Sequence, residues 1–231
     1  MKERPIIFND EMVRAIISGA KSMTRRPMKG VMPDNGLWLK KPTKTRSGIT
    51  THVMDAPKHG LCPFGHPGDH LWVREAYQGP LLDYDQMEEY IEDYSKFDNQ
   101  EYCEYRADRG SCPEYYDCDD NLRHGWSPSI HMPRWASRIT LEITDVRVER
   151  LQDITEDDAQ AEGISPAVEL LPEYPDTYLT PRGDFATARV AFQRLWESIY
   201  GDDSWDANPW VWVIAFKRVD TGYAAGASKG E

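Results

Sequence analysis

Ile139-Thr140-Leu141-Glu142-Ile143-Thr144-Asp145-Val146-Arg147-Val148-Glu149-Arg150 alternates apolar and polar residues almost without fault. Side chains switch faces at every residue of a strand, so this pattern predicts a long strand. Immediately after it, Ile154 to Ile164 reads as a helix. Thr155 is placed as its N-cap, Asp158 suits a capping box, and Gly163 can take the left-handed stop. Glu162 falls at the end of that helix, where a carboxylate opposes the macrodipole. It is either a chance surface residue or is held there for another reason.

Before the long strand, Trp126-Ser127-Pro128-Ser129-Ile130-His131-Met132-Pro133-Arg134-Trp135-Ala136-Ser137-Arg138 is an irregular, aromatic and basic connector. Loops of this kind on a rigid scaffold often line sites. His131 is either a site residue or a hydrogen-bonded structural histidine. Further back, His66-Pro67-Gly68-Asp69-His70-Leu71-Trp72-Val73-Arg74 combines a turn with a strand in which Leu71 and Val73 share one face and Trp72 and Arg74 the other. The second face either clamps a flat ligand by stacking or packs at a barrel rim.

At the N-terminus a short strand over Arg4 to Phe8 leads into Asn9 to Gly19, where Met12, Val13, Ile16 and Ile17 recur at helical spacing. Asn9 or Asp10 can cap this helix, and Gly19 can end it. The exit, Lys21-Ser22-Met23-Thr24-Arg25-Arg26, collects an amine, hydroxyls and two guanidiniums. It reads either as a small polar site or as a solvated basic turn before an edge strand. Leu37 to Leu39 and Thr51 to Met54 are short strand candidates. On the other side of the chain, Phe185 to Tyr200 has helical spacing, and Asn208 to Arg218 is a final strand of high β propensity.

The 231 residues carry 40% apolar and 11% aromatic residues, enough for one sizeable core. They read as a single domain over residues 1–220, with a Pro-rich loop at about 165–184 and a disordered tail at 221–231. No signal-peptide pattern begins the chain and no apolar run is long enough to span a bilayer, which predicts a cytosolic, soluble protein without membrane partners. The formal net charge of −12 argues against gripping long duplex nucleic acid. Between Asp83 and Asp120, however, 14 acidic residues stand against 3 basic ones, so that segment alone carries −11. Seven tyrosines lie among those carboxylates, with a helix expected near Tyr84 to Tyr94 and a strand near Tyr102 to Arg106. The segment is either a solvated insertion or a functional acidic surface. The four cysteines could form two disulfides in a secreted protein, but without a signal-peptide pattern they read as reduced thiols, and no C-x-x-C pair announces a metal. A zinc site built from Cys62, His66, Cys103, Cys112, Cys118 and His124 is the alternative.

In order, the capped helix with Gly19-x-Lys21-x-x-Thr24-x-Arg26, the Pro67-Gly68-Asp69 strand, the alternating strand, the Thr155 to Gly163 helix and the terminal Trp212-Val213-Ile214-x-Phe216-Lys217 strand resemble the ASCH domain of the PUA-like superfamily. The Ser129 to Arg138 stretch is similar to the larger ASCH proteins of phages and prophages. The resemblance covers nearly everything from Arg4 to Arg218 except the acidic segment and the Pro-rich loop. It implies an α+β fold: a small closed β-barrel flanked by helices, with a cleft for a nucleotide or single-stranded nucleic acid.

Small bacterial ASCH enzymes hydrolyse N4-acetylcytidine with a lysine, a threonine and a glutamate, which fall by motif on Lys21, Thr24 and Glu162. The resemblance thus implies catalysis without metal or cofactor, in which Thr24 attacks the acetyl carbonyl, Glu162 shuttles the proton, and Lys21 activates Thr24 or steadies the oxyanion. Arg26, Trp72, Arg74, His131, Arg134 and Trp135 are the candidates for substrate contacts. Other ASCH proteins are associated with RNA binding or cleavage, so a nucleoside and single-stranded RNA both stand as expected partners. A third expectation is that the acidic segment imitates nucleic acid and occupies a host protein in the bacterial cytoplasm.

Overall fold

The alternating run forms an 11-residue strand, Thr140–Arg150. The computed structural model describes residues 1–32, 36–41, 48–116 and 121–219. In chain order, the elements begin with β1 (Glu3–Ile7), α1 (Asp10–Ile17), β2 (Met23–Pro27), β3 (Trp38–Lys41), β4 (Ile49–His52), β5 (His70–Arg74) and β6 (Tyr77–Gln78). Next come α2 (Met87–Glu92), β7 (Glu104–Tyr105), α3 (Arg106–Arg109), β8 (Glu114–Tyr116) and β9 (Leu122–His124). The chain continues through β10 (Thr140–Arg150), α4 (Glu156–Ala161), β11 (Tyr178–Leu179), β12 (Phe185–Ala186), α5 (Ala188–Tyr200) and β13 (Trp210–Val219). This is a mixed α+β protein in which sheet predominates and helices are few.

Two compact units emerge. The first contains Met1–Lys2, Ala15–Asp69 and Glu142–Lys217; the second contains Glu3–Arg14, His70–Leu141 and the chain from Arg218. In the first unit the hydrogen-bonded strand order is β10-β13-β2. β13 and β2 run antiparallel, with Val213 opposite Arg25 and Ile214 opposite Thr24. Val211 and Val213 join a core with Leu151, Ile154, Phe192, Trp196 and Trp205. Helix α5 brings Ala188, Ala191, Phe192 and Trp196 to that core at helical spacing, which is why a polar-looking segment folds as a helix. Its start, Ala188, falls later than the periodicity suggests, because Phe185 and Ala186 pair instead with β11. The Thr155 hydroxyl caps α4 by accepting the Asp158 N–H at 3.1 Å, and Gly163 follows the helix at φ +91°. Strands β3 and β4 form a separate antiparallel pair.

In the second unit the order is β1-β5-β10, of which only the start of β10 belongs to this unit. β1 and β5 are parallel, with Glu3 opposite His70 and Ile7 opposite Arg74. Leu71 and Val73 are fully buried while Trp72 and Arg74 are half-buried, as alternation requires. At the start of α1, the Asn9 side chain accepts the Met12 N–H at 2.9 Å. A smaller core gathers Tyr77, Tyr105, Met132 and Ala136. The acidic segment holds α2, a two-residue β7 in place of a longer strand, and α3.

Neither strand order closes on itself: β2 ends one and β1 ends the other. A barrel requires its last strand to pair with its first. Among the described residues the sheet is therefore open, and the closed barrel implied by the family resemblance is not formed. No helix among the described residues is long and apolar enough to cross a membrane. The expected tail at 221–231 lies outside the described residues, as does Cys118.

Candidate functional site

Lys21 leaves α1 through a turn at Gly19 and meets the end of α4. Its backbone N–H donates to Ala15 O at 2.9 Å, and Lys21 and Glu162 form an isolated antiparallel bridge. The Lys21 Nζ donates to Glu162 Oε2 at 2.8 Å and to Glu162 O at 2.6 Å. One ammonium thus satisfies both the opposed carboxylate and a carbonyl at the helix end, giving Glu162 a reason to sit where the macrodipole disfavours it. Lys21 is 3% exposed and Glu162 is 3% exposed. Burial pushes the Lys21 amine below the ordinary lysine value, and the Glu162 charge opposes that shift only in part.

Gly163 permits this close approach. A Cβ there would stand 2.9 Å from the Ala15 Cβ and 2.9 Å from the Lys21 Cβ. Only a residue without a side chain, in a left-handed conformation, lets the chain turn past Lys21.

Around the pair lies a charge network that the sequence reading missed. Arg25 has a fully buried side chain and contacts three carboxylates: Asp158 at 2.6 Å, Glu149 at 3.0 Å and Glu162 at 3.3 Å. Arg147 meets Glu149 at 2.5 Å and Asp158 at 2.9 Å. Three cations, Lys21, Arg25 and Arg147, are therefore laced to Glu149, Asp158 and Glu162. A balanced set of this kind can stay charged where an isolated ion cannot. Its solvent side is formed by Asp158, Glu149 and Arg147, whose side chains are 20%, 24% and 34% exposed. The legible signal was the odd-numbered face of β10, where Asp145, Arg147 and Glu149 follow Leu141 and Ile143.

Thr24 is buried on β2, next to Arg25. Successive strand residues point to opposite faces, so Thr24 faces away from the side on which Arg25 reaches Glu162. Arg26 shares the Thr24 face by the same alternation; it is half-buried and lies opposite Trp212. The structure therefore brings Lys21 and Glu162 into contact, adds Arg25, and turns Thr24 and Arg26 to the other face.

The remaining expected site residues belong to the second unit. Arg74 and Arg134 place their guanidinium carbons 5.4 Å and 6.0 Å from the Trp72 ring centroid. Arg74 donates to the carbonyls of Met132 and Ile130, and Arg134 bonds Glu3 at 3.0 Å. That bond holds the Glu3 carboxyl below its ordinary value. His131 is exposed at the end of a 3₁₀ turn, whereas Trp135 packs half-buried against the core of Tyr77 and Met132. Trp72, Arg74 and Arg134 thus form one cluster, and Trp135 serves packing.

Of the proposed zinc ligands, Cys62 is buried and Cys103 and Cys112 are free and partly buried. No group of three or more His, Cys, Asp or Glu side chains among the described residues is placed to hold a metal ion. In comparisons with known proteins, no family model, no curated protein and no solved structure matches this chain.

Proposed function

We propose that the protein is an ASCH-like, PUA-related enzyme that removes an acyl group from a modified nucleobase, most concretely by amidohydrolysis of N4-acetylcytidine. The buried contact between Lys21 Nζ and Glu162 Oε2 at 2.8 Å carries this reading. It joins residues 141 positions apart and couples an amine of lowered pKa to a carboxylate, a pairing suited to proton transfer. Because Thr24 faces away from the Arg25 side of β2, we assign the nucleophile to water. Water adds to the acetyl carbon as Glu162 takes its proton, while the Lys21 ammonium faces the developing oxyanion. The C–N bond then breaks, N4 leaves with a proton from Lys21, and Glu162 returns its proton to Lys21. Acetic acid and cytidine result. Substrate reaches the pair by opening the shell at its partly exposed side, Asp158, Glu149 and Arg147.

Incubation with N4-acetylcytidine, with cytidine release followed chromatographically, tests the reading. Release should fall by at least about a hundredfold in Lys21→Met and Glu162→Gln, as expected for loss of acid–base catalysis, and stay within about tenfold in Thr24→Val. Absence of release from the folded protein refutes the activity. A loss in Thr24→Val as large as that in Glu162→Gln restores threonine as the nucleophile.

A second reading, a single-stranded RNA-binding module, is favoured by one observation: half-buried Trp72 lies within cation–π distance of two arginines. It predicts retention of oligouridylate that weakens with salt and with Trp72→Ala. Unchanged retention in that variant refutes it.

A further inference from the structure

The acidic segment contains a cleft of about 1060 Å³, lying wholly within the second unit and independent of the Lys21 site. We propose that this cleft is the docking site for a basic, amphipathic helical segment of a partner protein. Three observations converge on that occupant.

The first is the cleft's apolar surface, to which Leu81, Leu82, Met87 and Ile91 contribute. Met87 and Ile91 stand four residues apart on α2 and so share one helix face. Among the described residues neither is buried: Met87 is half-buried and Ile91 is 70% exposed. A helix of six residues is marginal by itself; Tyr90 packs α2 edge-on against the Phe97 ring at 5.8 Å, and the Met87–Ile91 face is the one left for a partner. Methionine suits such a surface because its side chain adapts to different anchors.

Charge supplies the second observation. Five carboxylates, from Asp83, Asp85, Glu88, Glu104 and Glu114, line the cleft beside a single guanidinium, Arg109. Arg109 is engaged with Glu104 at 2.9 Å, so the other four have no basic counterpart among the described lining residues. Such a rim repels nucleic acid and attracts lysine or arginine.

Third, the cleft pairs these charges with aromatic surface from Tyr115 and from Tyr116, which is 61% exposed. A polyamine would satisfy the carboxylates and leave the apolar face wet. An apolar peptide would leave the carboxylates without partners. A helix carrying apolar residues at i, i+3, i+4 and i+7 with basic residues between them satisfies both.

The test uses the full chain and a fluorescein-labelled peptide of leucine and lysine, with leucines at helical spacing, read by anisotropy. The expected result is saturable binding that weakens about tenfold in Ile91→Asp, in Glu88→Lys/Glu114→Lys and on raising salt from low to physiological strength. Ile91 is exposed, so its replacement leaves the fold intact, which circular dichroism checks; Tyr116→Asp provides a second exposed variant with the same expectation. Binding of a scrambled peptide of the same composition within about twofold overturns the proposal in favour of charge alone. Competition by spermine at equal concentration, an unchanged affinity in both Ile91→Asp and Tyr116→Asp, or self-association of the chain that is abolished by Ile91→Asp overturns it as well.

Discussion

Replacing Gly163 by alanine should damage the Lys21–Glu162 site without altering any charged group. Two costs arise. Gly163 has φ +91°, a left-handed conformation that costs an L-residue about 1–2 kcal/mol. The added methyl would also stand 2.9 Å from the Ala15 Cβ, 2.9 Å from the Lys21 Cβ and 3.3 Å from the Lys21 Cγ. Those atoms lie at or near the backbone and cannot swing aside, so the overpacking adds about 1–3 kcal/mol. The expected total is about 2–5 kcal/mol. Gly19→Ala isolates the conformational part, because Gly19 has φ +81° but an added Cβ would meet nothing within 4 Å. It should cost only the conformational share, about 1–2 kcal/mol. Urea unfolding followed by tryptophan fluorescence reads both variants, and each kcal/mol should also move Tm by about 2–4 °C for a chain of this size. If the two variants are destabilised equally, within about 0.5 kcal/mol, the close approach of Gly163 to Lys21 is wrong.

Three more outcomes follow from the same geometry. Burial lowers the folded-state pKa of Lys21, so the unfolded chain binds this proton more tightly; stability should therefore rise with pH between the folded value and the ordinary 10.5, and urea midpoints of Lys21→Met should lack that rise. A midpoint slope equal to that of the unsubstituted chain would refute the assignment. In the second unit, Glu75 is 1% exposed and holds Arg138 through two hydrogen bonds of 2.9 Å, so Glu75→Ala should cost about 3–5 kcal/mol by urea unfolding, less whatever Arg138 recovers from Asp108. A loss under about 1 kcal/mol would show that the pair contributes little. Burial pushes the Cys103 thiol up from 9.0 to about 12, leaving about a thousandfold less thiolate near neutral pH than an ordinary thiol has. Mass spectrometry after iodoacetamide treatment should find Cys103 unmodified long after a cysteine-containing peptide has reacted, and equal rates would contradict its burial.

Local signals in the sequence were strong where one physical cause acts over a few residues. The long strand after Ile139, the Thr155 cap, the left-handed Gly163 and the apolar register of Leu71 and Val73 all appear in the structure, although burial along β10 passes from Leu141 and Ile143 on one face to Val148 on the other. Long-range consequences were harder to see. Arg25 and Arg26 are indistinguishable by composition, and only the register of β2 against β13 decides which one is buried among carboxylates. The Lys21–Glu162 contact became visible through family resemblance, because no local pattern links residues so far apart. The network of Arg147, Glu149 and Asp158 depends on β10 and α4 meeting, which periodicity cannot specify. Barrel closure likewise depends on two distant strands pairing, and those two remain apart in the strand order.

The position of β2 at the end of its strand order bears on how copies of this protein behave in concentrated solution. An edge strand offers unpaired backbone groups to any neighbouring chain. Here the start of that edge is engaged, because the Ser22 N–H donates to Ala161 O at 2.9 Å, and the strand finishes at Pro27, which has no N–H to offer. Half-buried Arg26 adds a charge beside that edge and makes strand addition between molecules costlier still. Substitutions that neutralise this strand therefore remove a guard against aggregation along with any chemistry it supports, and their first symptom should be loss of soluble monomer.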